Sequence, residues 1–517
     1  MAKNNVLVLD GENLSIQDIE LFVRDPGLVA AISRQALTRV GKSSAFVAEH
    51  AKKHIIYGVN TGFGPMASYI LNAGQLVELQ KNLIYSHAVG MGEPINPDFV
   101  LAAMLVRLNT LSRGYSGTSP QLLESLKNII NARIIPVVPE HGAVGTSGDL
   151  VQLAHIALVL LGKGLVTFKG KTMNAEVALK QAKLKPYKLK LKEGLSLING
   201  TAVMTGVGAF VSLQADHLLA LSVRSGAIAL ELARAYDDSI SDKLHSLRPH
   251  PGQQYIAREL RRILQSSKLL RKREQLHDNF KEETDVYVIP ETVQEVYSFR
   301  CIAQILGPIY ETAKRTHRVI EVEMNSVTDN PIVDLSTRHI LHGGNFHGDY
   351  ISAEMDKLKM NMVKLTMLAE RRINFFLNPN VNKTYPPFLN LKKPGLTLAL
   401  QGLQFVATST TAQSQTLAYP QYVHSIPTNG DNQDIVSMGT DSALLAAKVL
   451  ENAYIVVTIE LLCLAQAIDL LQIESKLSRE SKRLYQAIRK SFPPIYEDRI
   501  LSDELSKVLQ TIKEYRV

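Results

Sequence analysis

Ala453-Tyr454-Ile455-Val456-Val457-Thr458-Ile459-Glu460-Leu461-Leu462-Cys463-Leu464-Ala465-Gln466-Ala467-Ile468-Asp469-Leu470-Leu471 is the longest apolar run in the sequence. It outruns an ordinary strand. Glu460 and Asp469 interrupt it, whereas a membrane span carries few or no charges. It therefore reads as a helix buried inside a protein. Stretches of the same helical period cover 206–236, 292–324, 349–378, 397–417 and 440–474. Several exceed the usual length of a globular helix, which points to a mainly α fold built as a bundle of long helices.

Strand signals are few. Leu165-Val166-Thr167-Phe168 before Lys169-Gly170 reads as a hairpin, and Ile332-Val333-Asp334 with His339-Ile340-Leu341 as another. No repeated β-α-β pattern occurs, and no Gly-x-Gly-x-x-Gly follows a strand, which argues against a nucleotide fold. Glycine-rich loops crowd the first two hundred residues, at Tyr57–Gly64, Gly90–Gly92, Gly114–Gly117 and Gly142–Gly148. This places a boundary near residue 205, between a smaller loop-rich domain, 1–205, and a helical bundle, 206–517.

The 517 residues are 45 % hydrophobic and 21 % charged, a soluble globular mix with ample material for a core. The net charge is +8, but the densest basic stretches, Lys183–Lys192 and Lys268–Arg273, read as solvated faces. No nucleic-acid partner is expected. Two separated cysteines, Cys301 and Cys463, make neither a disulfide framework nor a zinc site. They suggest a reducing, cytoplasmic compartment. The apolar run Val6–Leu9 is too short for a signal peptide, so no membrane is expected either.

Residues 141–155 read His-Gly-Ala-Val-Gly-Thr-Ser-Gly-Asp-Leu-Val-Gln-Leu-Ala-His and lead into an apolar helix, with Asp149 at its start. Alone, this is a glycine-rich turn before a capped helix. It also permits an unusual reaction. The Gly148 nitrogen can attack the carbonyl carbon of Thr146, because glycine has no Cβ to block the bend. Loss of two waters, one taking the Ser147 hydroxyl, leaves a methylidene-imidazolone, an electrophile that no ordinary side chain supplies. A helix N-terminus beside it favours developing negative charge.

The loop resembles the Ala-Ser-Gly-Asp-Leu signature of the histidine, phenylalanine and tyrosine ammonia-lyases. Further matches follow in order over roughly residues 55 to 475: Tyr57-Gly58-Val59-Asn60-Thr61-Gly62-Phe63-Gly64; Leu195-Ser196-Leu197-Ile198-Asn199-Gly200-Thr201; Gln294, Tyr297, Ser298 and Arg300; Asn325-Ser326 and Asp329-Asn330-Pro331; His342-Gly343-Gly344-Asn345-Phe346-His347-Gly348; and Asp431-Asn432-Gln433-Asp434. Thr146 departs from the family's alanine, and Val151-Gln152 from its Ala-Pro.

The resemblance implies the long-helix fold of the aspartase/fumarase-like superfamily, in a homotetramer whose active sites each draw on three chains. It implies a 4-methylideneimidazol-5-one (MIO) formed from Thr146, Ser147 and Gly148, with no metal or nucleotide. Tyr57 is then the base, with Gly64 in its loop, and Arg300 the carboxylate clamp. Tyr297 and Gln294 share a helix face with Arg300 at three-residue spacing. Asn199 and Asn325 hold the ring and substrate, Phe346 packs beside the ring, and Asn432 and Gln433 lie in the closing loop.

Ring selectivity in the family is attributed to the position of Ser86-His87. A histidine there can bond a phenol hydroxyl or an imidazole. Histidine-selective members usually carry Glu where Gln433 stands. Tyr422-Val423-His424-Ser425-Ile426-Pro427 and Gly348-Asp349-Tyr350-Ile351-Ser352 resemble bacterial tyrosine ammonia-lyases. The expected reaction is L-tyrosine to trans-4-coumarate and ammonia. The alternatives are histidine deamination to urocanate, a tyrosine 2,3-aminomutase, and a non-catalytic helical oligomer, which only Thr146 favours.

Overall fold

The computed structural model describes residues 5–72, 74–276 and 292–517. The fold is mainly α. Its contacts divide the chain into two compact units: Met1–Leu213 with Arg315–Lys357 and Pro420–Ala447, and Gln214–Lys314 with Leu358–Tyr419 and Lys448–Val517.

The longest helices are Ala202–Leu232, Ile302–Met324, Asp349–Leu377 and Gly439–Leu471. Ala202–Leu232 and Gly439–Leu471 are long and apolar enough to cross a membrane. However, 72 % and 78 % of their most apolar windows are buried inside the protein, as in core helices. The two acids that interrupt the opening run are both paired. Glu460 is buried and lies 2.6 Å from the buried Arg372. Asp469 pairs with Arg489 at 2.5 Å and accepts from the Tyr485 hydroxyl. An isolated charge would be costly in this core, and these partners offset that cost.

The stretch expected as one helix over 292–324 is broken. A short helix, Tyr297–Arg300, ends at Cys301, and Ile302–Met324 follows. Gln294 lies before the first of these, and Val296 between them is extended (φ −63°, ψ 160°). Gln294 therefore does not share a helix face with Tyr297 and Arg300, contrary to the spacing argument.

In the first unit, helices begin where the sequence supplies caps. Ser33 accepts from the Ala36 N–H and Ser119 from the Leu122 N–H, while Asn96 caps Pro97–Ser112 with proline in its first turn. Pro97–Ser112 is buried almost throughout, Arg107 included. Both expected hairpins form. Leu165–Phe168 pairs with Lys171–Asn174, and Ile332–Asp334 with His339–Leu341, each antiparallel. Short strands that the sequence did not announce add a parallel pair, Val6–Leu9 with Val29–Ile32, and an antiparallel pair, Met91–Pro94 with Pro139–His141.

Candidate active site

Residues 142–149 link strand Pro139–His141 to helix Leu150–Leu160. Segments distant in sequence converge on this loop. The Met438 N–H donates to the Val144 carbonyl (3.1 Å), Gly348 N–H to Gly145 (3.0 Å) and Gly200 N–H to Ser147 (3.2 Å), while Asp149 N–H donates to the Gly200 carbonyl (2.8 Å). The Ser437 hydroxyl also donates to the Gly145 carbonyl at 2.9 Å.

Gly148 is left-handed (φ +66°), and a Cβ there would lie 1.9 Å from the Gly200 carbonyl oxygen. Only glycine fits, and it is the residue that ring closure needs, with an unobstructed amide. Thr146 is buried, and its hydroxyl is directed to Gln433, donating to Oε1 at 2.7 Å. Gln433 Nε2 donates to Ser147 Oγ at 3.2 Å. The branch of Thr146 thus has its own place, and Thr146-Ser147-Gly148 fits an MIO precursor.

Asp149 takes the N-cap position expected, but its carboxylate makes no bond to its own helix. Oδ2 instead accepts from the N–H groups of Val203 (2.7 Å) and Met204 (3.1 Å), at the start of helix Ala202–Leu232. Oδ1 accepts from the Thr440 hydroxyl. Complete burial pushes this carboxyl up to about 6, despite those donors.

A buried polar layer supports the loop. Arg107 gives its guanidinium to backbone carbonyls: Thr328 (3.0 Å), Asn199 (2.8 Å) and Ser196. A Cβ on Gly200 would come within 2.3 Å of Arg107 Nη1, so this clamp packs directly on the residue that braces Gly148. Lys192 Nζ reaches Asp329 Oδ2 at 2.8 Å and Ser196 Oγ at 3.0 Å. Asn199 Nδ2 donates to Asp329 Oδ1 and to the Asn330 carbonyl, both at 3.1 Å. Burial lowers the pKa of both cations, with Asp329 opposing the shift. Sequence reading passed over Arg107, although a lone charge in Leu105-Val106-Arg107-Leu108 was a usable signal.

The Tyr57 hydroxyl oxygen accepts from the Gly64 N–H at 3.0 Å. Gly64 is left-handed (φ +52°), and a Cβ there would meet Asn429 Nδ2 at 2.6 Å. Asn429, Gly430 and Asp431 are left-handed in succession. Thr428 and Gln433 close their loop with mutual backbone bonds of 3.1 and 3.3 Å. One tight loop therefore touches both the Tyr57 loop, through Asn429, and Thr146 and Ser147, through Gln433. Asn432 lies exposed within it.

Ser86 and His87 end helix Leu76–His87. Buried Gln80 in this helix donates to the Gly58 carbonyl (3.1 Å) and accepts from the Leu195 N–H (2.9 Å), tying it to the Tyr57 and Asn199 segments. His87 Nδ1 lies 2.8 Å from the Leu83 carbonyl oxygen. Ser86 Oγ also lies 3.0 Å from Nδ1. A carbonyl only accepts, so Nδ1 carries a proton, and in the tautomer with that single ring proton Nε2 is an acceptor.

Phe346 is half-buried, two residues before the Gly348 that bonds the loop. Asn325 is engaged elsewhere. Its amide bonds the Leu14 backbone at both N–H and carbonyl, and also Asn109 and the Glu321 carbonyl. Gln294, Tyr297 and Arg300 belong to the second unit and form their own cluster. Arg300 Nη1 donates to Gln294 Oε1 at 2.6 Å, and the guanidinium lies 4.6 Å from the centre of the Tyr297 ring.

The family model described as aromatic amino acid lyase matches residues 14–490. A histidine ammonia-lyase of Geobacillus sp. (strain WCH70) is 37 % identical, the alignment covering 98 % of this chain and 96 % of that protein. A solved tyrosine aminomutase from Streptomyces globisporus superposes with a TM-score of 0.94 at 33 % identity, covering 98 % and 96 % of the two chains. A phenylalanine aminomutase from Pantoea agglomerans gives 0.93 at 34 %, covering 98 % of each. The long-helix architecture is that of the aspartase/fumarase-like superfamily, and the chain belongs to the aromatic amino acid lyase family.

Proposed function

We propose that this ammonia-lyase deaminates L-tyrosine to trans-4-coumarate and ammonia, with an MIO group formed from Thr146, Ser147 and Gly148. The observation that carries the choice of tyrosine over histidine is the neutral Gln433 beside Thr146 and Ser147, where histidine-selective members of the family usually carry glutamate. With Nδ1 committed to the Leu83 carbonyl, His87 Nε2 is an acceptor for a phenol O–H, and would serve an imidazole N–H as well.

When formed, the MIO group supplies an electrophilic methylidene carbon for the substrate amine. Arg300 grips the α-carboxylate, a planar group that a guanidinium can bind through two parallel bonds. Gln294 and the Tyr297 ring hold that guanidinium. Tyr57 removes the β-proton. The Gly64 N–H already points at the phenolic oxygen on which charge then develops. Asn199, fixed by Asp329, and Phe346 line the ring. In this reading four chains assemble and share their sites, so Arg300 of one chain serves Tyr57 of another.

A second reading, histidine deamination to urocanate, is favoured by the curated relatives, which are named histidine ammonia-lyases over nearly the whole chain. Ultraviolet assays with tyrosine, histidine and phenylalanine separately, beside the intact mass of the purified protein, test both. Coumarate formed far faster than the other products supports the tyrosine reading, and urocanate formed faster replaces it. A mass that shows no loss of two waters removes both.

A further inference from the structure

Arg107 is fully buried, yet its bonds run to backbone carbonyls rather than to an acid: Nη1 to Thr328 at 3.0 Å, and Nη2 to Ser196 and to Asn199, the latter at 2.8 Å. The fields of Asp329 and Asp149 reach it, but both carboxylates are engaged elsewhere. Asp329 is held by Lys192 (2.8 Å) and the Asn199 amide (3.1 Å), and Asp149 by Val203, Met204 and Thr440. Burying a cation with no acid in contact is costly. Arg107 caps the end of the short helix Glu193–Ile198, but a neutral amide could donate to those carbonyls as well.

The charge has a use one peptide further on. The Asn199 carbonyl and the Gly200 N–H belong to the same peptide group. Arg107 donates to the first, and the second donates to the Ser147 carbonyl oxygen at 3.2 Å. A donor on a peptide oxygen polarises the group and strengthens its N–H as a donor. The Ser147 oxygen remains when the ring forms. One water takes the Thr146 carbonyl oxygen with the protons of the Ser147 and Gly148 nitrogens. The other takes the Ser147 hydroxyl and the Ser147 Cα proton. As that Cα–H bond breaks, its electron pair leans on the adjoining Ser147 carbonyl. The pair then forms the Cα–Cβ double bond and expels the hydroxyl, which leaves as water with a proton.

We propose that Arg107 is a positioning residue for formation of the electrophile: through the Asn199–Gly200 peptide, its charge supports the negative charge that the Ser147 oxygen carries during that loss of water. This rests on the MIO reading and deepens it.

The test compares Arg107→Lys, which keeps the charge, with Arg107→Gln, which keeps a donor and is neutral, both in the full chain. Protein sampled at intervals after a short pulse of synthesis is weighed intact, and circular dichroism with thermal unfolding reports whether each variant is folded. Loss of two waters should be about tenfold slower in Gln than in the parent, the difference between a charged and a neutral donor. Lys should stay within about threefold of the parent. An ammonium does not reproduce the planar fork of a guanidinium, so a purely structural clamp would be lost in both variants alike. Folded Lys and Gln variants that lose water at equal rates, fast or slow, therefore overturn the inference. If Gln does not fold, Lys decides: a folded Lys variant slowed by about tenfold or more overturns it, and one within about threefold supports it. A parent mass that shows no loss of two waters removes the MIO reading itself, a failure distinct from a parent that matures while Gln keeps pace with it.

Discussion

Gly148 and Gly170 share a similar positive φ, +66° and +74°; the first is bridged to Gly200 and the second sits in a hairpin turn. Around Gly148 a Cβ would lie 1.9 Å from the Gly200 carbonyl oxygen, whereas around Gly170 there is nothing within 4 Å. The hairpin tip uses glycine for its backbone freedom alone. The loop at 144–148 uses it for freedom and for closeness to a second backbone, and the proposed ring needs a third property, an unhindered amide.

That comparison is broken most forcefully by Gly148→Ala. The added carbon cannot coexist with Gly200, whose position is itself fixed by Arg107. The expected outcome is a protein whose intact mass shows no loss of water and whose lyase activity is below detection. Full ring formation in this variant would mean that the closeness of Gly148 to Gly200 is incidental.

The same comparison separates what could be read from the sequence from what could not. The long helices were legible because their apolar period extends over many residues, and both hairpins because Lys169-Gly170 and the 332–341 pattern are local signals. The electrophile loop was legible because the chemistry demands Ser before Gly. The Arg107 clamp, the bond from Asp149 to a helix other than its own and the occupation of Asn325 by Leu14 were not, since each joins residues many tens of positions apart. The break at Cys301 escaped because apolar periodicity continues across it, while the extended conformation at Val296 depends on tertiary context.

A second difference concerns charge. Asp149 adjoins Gly148 and is wholly buried, with its pKa pushed up to about 6 from 3.8. The folded state therefore binds this proton more tightly than the unfolded chain. Its contribution to stability is fully present below about pH 4 and is lost as pH rises through about 6, a change of about 3 kcal/mol for a shift of that size. Urea unfolding of the parent and of Asp149→Asn between pH 4 and pH 8 should show a downward slope with rising pH that is steeper in the parent than in the variant, since other buried carboxyls such as Glu231 and Glu323 are raised in both. Parallel curves would mean that Asp149 ionises as freely folded as unfolded.

The smallest expected effect lies at the hairpin tip. Lys169 and Gly170 are both left-handed (φ +51° and +74°) in the two-residue turn between Leu165–Phe168 and Lys171–Asn174. That is the turn whose twist matches the paired strands. In Gly170→Ala the new methyl meets no neighbour, so the cost is confined to holding an alanine in the left-handed region, about 1 kcal/mol. The midpoint of thermal unfolding should fall by only about one degree in a chain of this length, with intact mass and kcat/KM unchanged. Set beside Gly148→Ala, two identical substitutions at similar positive φ then differ in what the added carbon meets. The loss at Gly148 can be assigned to its contact with Gly200 and the chemistry of its amide. A drop in activity at Gly170 comparable to that at Gly148 would instead assign both effects to strain and remove the structural argument for ring closure.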